Sequence, residues 1–215
     1  MSLNVADCNL IETEALPLCG ERETVVVLGV AKVRRDRDKQ PIHCKTYFRS
    51  LGFQRVVTID ASDWEGCDQI IDLNEPIPDE LCNIADLVVD PGTLEHCFDI
   101  RRALQNVVEM LTVPGVAFHH SPLNWINHGF FNLSQAFYQD AYNANAFDRI
   151  QTWRRAVTDD AAKWWPYDPM RTTMVDRQNK SGEPLKMVMN CMARKTVSRP
   201  FCVPMQRRYT EGHWA

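Results

Sequence analysis

Leu87-Val88-Val89-Asp90-Pro91-Gly92-Thr93-Leu94-Glu95-His96 decides how this chain folds. A short apolar run stops at an acid, a Pro-Gly turn follows, and Glu95-His96 lead into residues with helical spacing. So brief an apolar run, closed by a turn, reads as a strand buried on both faces, as parallel strands are. Polar groups just past the carboxyl end of such a strand stand where open α/β sheets take their ligands. The segment is expected to form the floor of a small-molecule site.

The same pattern recurs on either side. Thr24-Val25-Val26-Val27-Leu28-Gly29-Val30 is a β-branched run interrupted by glycine, a buried first strand. Arg55 to Asp60 and Gln69 to Leu73 are a second and a third, and Val116 to His119 is another. Helical spacing runs from His43 to Leu51, with Gly52 placed as a C-cap, from Ile100 to Leu111, and from Asn132 to Tyr142. Leu185 to Lys195 gives a late strand. Strands alternating with helices imply an α/β protein with a doubly wound, mostly parallel sheet and helices on both faces.

The organisation follows. Residues 1–22 lack a clear period and read as a short cap or loose arm; 23–200 form one α/β domain; 201–215 are a C-terminal tail. Within the domain, 150–184 look like an irregular excursion or lid, with Trp164-Trp165-Pro166 as a lid or a homodimer contact. Met1-Ser2-Leu3 and Glu211-Gly212-His213 resemble cloning remnants and are left out of the fold expectation.

Composition narrows the function classes. A chain of 215 residues with 45% hydrophobic and 24% charged residues can bury a full core. A formal charge of −4 argues against a partner held by bulk attraction to phosphate, so no nucleic acid is expected. The eight cysteines contain no Cys-x-x-Cys pair and read as small core side chains. With no leader and no apolar run near 20 residues, we expect no membrane partner and a reducing cytoplasm.

Successive strand ends offer Gly29, Asp60, Asp72 and Asp90. Glycine lets a ligand approach the backbone, and an acid after the second strand can accept hydrogen bonds from a ribose diol. His119 and His128 are candidates for a general base, with Asn124 and Asn127 holding an acceptor alongside Glu95 and His96. His128 has the stronger claim, because His-Gly-Phe-Phe after a strand end is a natural rim position. The histidines lack a helical metal-ligand spacing, and no metal is assigned. Phe130-Phe131 and Phe137-Tyr138 could wall an acceptor pocket, although at helical spacing Phe137 and Tyr138 suit a core.

These segments resemble the class I S-adenosylmethionine-dependent methyltransferases, in particular a bacterial small-molecule group. The resemblance runs from about Val25 to Phe147, with a weaker echo from Met187 to Lys195. It is carried by Val25–Gly29, Val57–Asp60, Ile71–Asn74, Leu87–Asp90 through Glu95-His96, Met110–Gly115 and Pro122–Phe130. It implies a Rossmann-like fold and S-adenosylmethionine as cofactor. By the same resemblance, Gly29 lines the methionine end, Asp60 holds the ribose, Asp72 and Leu73 frame the adenine, and Asp90 with Gly92 lies under the sulfonium. The family's glycine-rich turn after the first strand is reduced here to Gly29, and Lys32 follows it.

The leading expectation is methyl transfer to an oxygen or nitrogen of a small molecule. The alternative is a binding or scaffold protein that keeps the fold with a lost or weakened cofactor site. A nicotinamide-dependent oxidoreductase ranks last, because pyrophosphate needs the missing glycines even more.

Overall fold

The computed structural model describes residues 2–171, 178, 182 and 184–210. Its main sheet has eight strands: β1 (Thr24–Leu28), β2 (Arg55–Asp60), β3 (Gln69–Ile70), β4 (Ala85–Asp90), β5 (Leu111–Pro122), β6 (Phe147–Ala156), β7 (Lys163–Trp164) and β8 (Met187–Lys195). Their order across the sheet is β7-β6-β8-β5-β4-β1-β2-β3. β1 pairs in parallel with β2 and β4, β2 with β3, and β4 with β5. β8 inserts antiparallel between β5 and β6, and β7 closes that edge antiparallel to β6.

The apolar runs are explained by what covers them. Val26, Leu28, Val57, Ile59 and Val88 face one layer, where α3 (Ile100–Met110) and α4 (Gln135–Ala144) lie. Val25, Val27, Leu87, Val89 and Phe118 face the other, against α1 (Val5–Leu10) and α2 (Cys44–Ser50). Alternate residues point to opposite faces, so a strand buried on both sides must be apolar at nearly every position. The helices start where their caps say: the Asp99 carboxylate accepts from the Arg102 N–H at 2.9 Å and begins α3.

Winding outward from β1, the chain lays down β2 and β3 on one side, then returns to place β4 on the other. The carboxyl ends of β1 and β4 therefore flank the switch point, the crevice in which such sheets bind ligands.

Three expectations need correction. Ser2-Leu3, set aside as a cloning remnant, pairs with Lys32-Val33, which pairs in turn with Ile42-His43 in a small second sheet, and Leu3 is fully buried. The first twenty residues are no loose arm: α1 continues through the helical turns Ile11–Ala15 and Leu16–Leu18, with Cys8, Ile11 and Ala15 buried against the sheet. Residues 147–156, part of which was read as an irregular excursion, form β6, a ten-residue strand. The Glu211-Gly212-His213 expectation and most of 172–183 lie outside the described residues. All eight cysteines are free, with Cys8, Cys44, Cys97 and Cys191 buried.

Candidate functional site at the carboxyl edge of the sheet

At the end of β1 the chain turns at Gly29, whose φ of 88° lies in the left-handed region that suits glycine. The Gly29 N–H donates to the Ile59 carbonyl at 2.5 Å, which sets Asp60 beside the turn. Asp60 is half-buried, and among the described residues its carboxylate meets only the Ser62 N–H, at a long 3.4 Å. From the other flank, the Thr93 hydroxyl donates to the Leu28 carbonyl at 2.6 Å and draws the turn after β4 onto the end of β1. Gly29, Asp60 and the Asp90–Thr93 turn thus meet at the switch point.

Asp72 is exposed and closes its own turn, accepting from the Asn74 N–H at 2.9 Å. Leu73 is buried in the core, so its side chain is not open to a ligand. Lys32 lies on the exposed side of the small sheet, opposite Ser2 and His43. A strand therefore stands where the resemblance implies the rest of a glycine-rich turn.

Asp90 and His119 are neighbours in the register of β4 and β5, and both are fully buried. One Asp90 oxygen accepts from the backbone N–H groups of Gly92 at 3.2 Å and Thr93 at 2.7 Å. The other takes His119 Nδ1 at 2.9 Å, and His119 Nε2 meets the Tyr142 hydroxyl at 2.6 Å. Both carboxylate oxygens of Asp90 and both ring nitrogens of His119 have a partner. Asp90 shapes the turn, and both nitrogens of His119 are engaged, one by Asp90 and one by the Tyr142 hydroxyl.

Glu95 is different. It is 1% exposed, and among the described residues neither carboxylate oxygen has a hydrogen-bond partner. Burial, reinforced by the Asp90 charge, pushes its carboxyl up to about 8. The loop after β5 folds onto it: the Phe130 N–H donates to the Glu95 carbonyl at 2.8 Å. That contact brings His128 Nε2 to 3.5 Å from Glu95 Oε1 and sets the His96 and His128 rings 5.0 Å apart. Burial, with the nearby His96, lowers the His128 imidazole from its ordinary value. The loop is itself held rigidly, since the Trp125 N–H donates to Asn132 Oδ1 at 2.8 Å and the Trp125 indole N–H donates to the Met187 carbonyl at 2.9 Å.

Among solved structures, the YcgJ protein of Bacillus subtilis aligns with a TM-score of 0.53 over 89% of this chain and 98% of its own, at 13% identity. A SAM-dependent methyltransferase from Archaeoglobus fulgidus gives 0.53 over 87% and 92%, at 10% identity. The chain has the class I methyltransferase fold. At such identities the likeness is one of fold alone. The sequence matches no family model and no curated protein.

Within this methyltransferase fold, Asn124 and Tyr138 are engaged by other parts of the chain, and Asn127, among the described residues, is not. Asn124 bridges to the start of β8, donating to the Leu185 carbonyl at 3.0 Å and accepting from the Met187 N–H at 2.7 Å. Asn127 is exposed on the rim in a left-handed turn, φ 56°. Tyr138 is buried, its hydroxyl 2.6 Å from Ser121 Oγ, whereas Phe130 stands exposed and edge-on to Phe98 with ring centroids 5.3 Å apart. Trp164 and Trp165 line a cleft of about 570 Å³ with Arg154 and Tyr167, which shares no residue with the strand-end crevice.

Sequence reasoning missed Asp7. It is fully buried and joins four elements: Asp7 Oδ1 lies 2.9 Å from His120 Nδ1, 3.2 Å from an Arg155 guanidinium nitrogen and 2.8 Å from Asn190 Nδ2. Its other oxygen accepts from the Asn4 N–H at 2.9 Å, completing a capping box at the start of α1. The pattern Asn4-x-x-Asp7 was the available signal.

Proposed function

We propose that this chain binds S-adenosylmethionine across the carboxyl ends of β1, β2 and β4 and transfers its methyl group to an oxygen or nitrogen of a small molecule. The observation that carries the proposal is the meeting of Gly29 and Asp60 at the switch point, locked by the 2.5 Å bond from the Gly29 N–H to the Ile59 carbonyl. A left-handed glycine leaves room for the methionine end, and a half-buried carboxylate without a strong partner suits a ribose diol. Asp72 borders the adenine side, and the Gly92 turn, shaped by Asp90, borders the sulfonium.

The acceptor would lie against the loop from Trp125 to Phe131, where His128 is the expected histidine that stays open and Phe98, Ile126 and Phe130 expose apolar surface. The acceptor's lone pair attacks the methyl carbon in line; the carbon–sulfur bond breaks and its electron pair stays on sulfur. The protein's contribution is proximity and orientation. The carboxylate of Asp60 gives the crevice a sign that suits a cationic cofactor.

A second reading, a binding protein that keeps the fold without the activity, is favoured by the strand at Lys32-Val33 in place of a glycine-rich turn. Calorimetric titration with S-adenosylhomocysteine, with a chelator present and NADH as control, separates the two. Methyl transfer requires binding that Asp60→Ala weakens by roughly 1.5–3 kcal/mol, the worth of charge-assisted hydrogen bonds to the ribose. No heat from a folded protein would sink the proposal in favour of the second reading.

A further inference from the structure

A carboxyl group that is 1% exposed with both oxygens unpartnered among the described residues is costly to bury, and native structures rarely leave one so. Glu95 is also built around. A Cβ on Gly92 would sit 3.1 Å from Glu95 Oε1, and one on Gly129 would sit 2.7 Å from the Glu95 carbonyl oxygen and 3.1 Å from Glu95 Cγ. Glycine at both positions lets two turns close on this side chain while leaving its oxygens bare.

The groups that approach those oxygens are imidazoles. His128 Nε2 lies 3.5 Å from Oε1, and one donor atom each from Glu95, His96 and His128 falls within 4.8 Å of the others. Four-coordinate zinc with bonds near 2.0–2.2 Å sets its ligand atoms roughly 3.4 Å apart, and the His128–Glu95 pair, at 3.5 Å, already has about that spacing. His96 is exposed, and its donor atom lies within 4.8 Å of the other two. Trp125 packs edge-on against His128 at 4.6 Å and holds the ring in place.

We propose that Glu95, His96 and His128 form a binding site for one divalent transition-metal ion of the zinc type. Two imidazoles and a carboxylate suit such ions better than magnesium or calcium, which take oxygen ligands. Three protein ligands leave a fourth position open.

Resting on the methyl-transfer reading, that position takes a hydroxyl oxygen of the acceptor. The bound hydroxyl loses its proton to solvent, its oxygen bonds to the methyl carbon, and the carbon–sulfur electron pair leaves with sulfur. The ion makes the deprotonated oxygen accessible near neutral pH, as it does for bound water. His128 then serves as a ligand, and no histidine base is needed.

The test uses the purified chain without nucleotide, titrated with Zn²⁺ against a competing chromophoric chelator. We expect one Zn²⁺ per chain. His96→Ala and His128→Ala alter exposed side chains and should keep the fold, and each should weaken binding by about 100-fold or more, since each removes one of three ligands. Glu95→Gln should do the same, and His43→Ala, remote in sequence and exposed, should change nothing. Co²⁺ should give the visible bands of a four-coordinate site in the parent chain and lose them in His128→Ala. Binding below one equivalent, or equal in the parent and both histidine variants, overturns the proposal. The readout needs no cofactor, so it stands apart from the S-adenosylhomocysteine titration, which is run with metal removed.

Discussion

Burial alone would lift the carboxyl of Asp7, yet it is held well below the usual carboxylate range, because His120 hydrogen-bonds it and the Arg155 guanidinium lies against it. Arg155 is 1% exposed, so the two charges depend on each other. Asp7→Ala would leave a buried cation unpaired, and we expect a loss of about 3–5 kcal/mol of stability in urea unfolding. The same pairing sets a pH dependence. A carboxyl depressed in the native state contributes stability that is full above its unfolded value, near 3.9, and lost as pH falls through its native value. Stability should therefore decline from about pH 4 downward, and the acid limb should be shallower in Asp7→Asn, measured as unfolding midpoint against pH. Single residues were the least legible scale. Asp90 and His119 were singled out as a cofactor contact and a base candidate, but a strand end looks alike in sequence whether its acid faces a ligand or, as here, a histidine on the next strand.

Strands β1, β2, β4 and β5 were legible because burial on both faces forces a continuous apolar run. β6 was missed for the complementary reason. Phe-Asp-Arg-Ile-Gln-Thr-Trp-Arg-Arg-Ala carries partly exposed Asp148, Arg149 and Arg154, and its order depends on pairing with β8, which arrives some thirty residues later. The site was half legible. Gly29 and Asp60 sit at strand ends that the sequence marks, whereas Glu95 and His128 meet through a backbone hydrogen bond from Phe130 that no side-chain pattern announces. That loop carries its own prediction. In Gly129→Ala the new Cβ would meet the Glu95 carbonyl oxygen at 2.7 Å, so the loop must lift. We expect a stability loss of about 1–3 kcal/mol, with weakened Zn²⁺ binding and an unchanged S-adenosylhomocysteine affinity. Equal loss of both ligands would mean that the loop also shapes the cofactor crevice.

At the scale of the whole molecule, the first 22 residues complete one layer of the sandwich. Leu3, Ile11 and Leu16 bury themselves against a surface that includes Val25, Val27, Val116 and Phe118. Each fully buried side chain of this size contributes about 1.5–3 kcal/mol, so together they weigh heavily against a total stability of roughly 5–15 kcal/mol. Two polar anchors add to the apolar contact: Asp7 reaches His120, Arg155 and Asn190, and the Tyr47 hydroxyl donates to Glu12 at 3.1 Å. His120 follows His119 on β5, one residue from the Asp90 network that shapes the crevice turn. The segment thus couples to the floor of the site as well as to the core. A chain beginning at Glu23 would bare the apolar face of β1, β4 and β5 and leave Arg155 without its acid. We expect it to bind a hydrophobic dye, to lose cooperative unfolding and to associate on size exclusion. If it instead stays monomeric with a sharp transition, the sheet is stabilised by α2 and the opposite layer alone, and the N-terminal segment acts only on the crevice it borders.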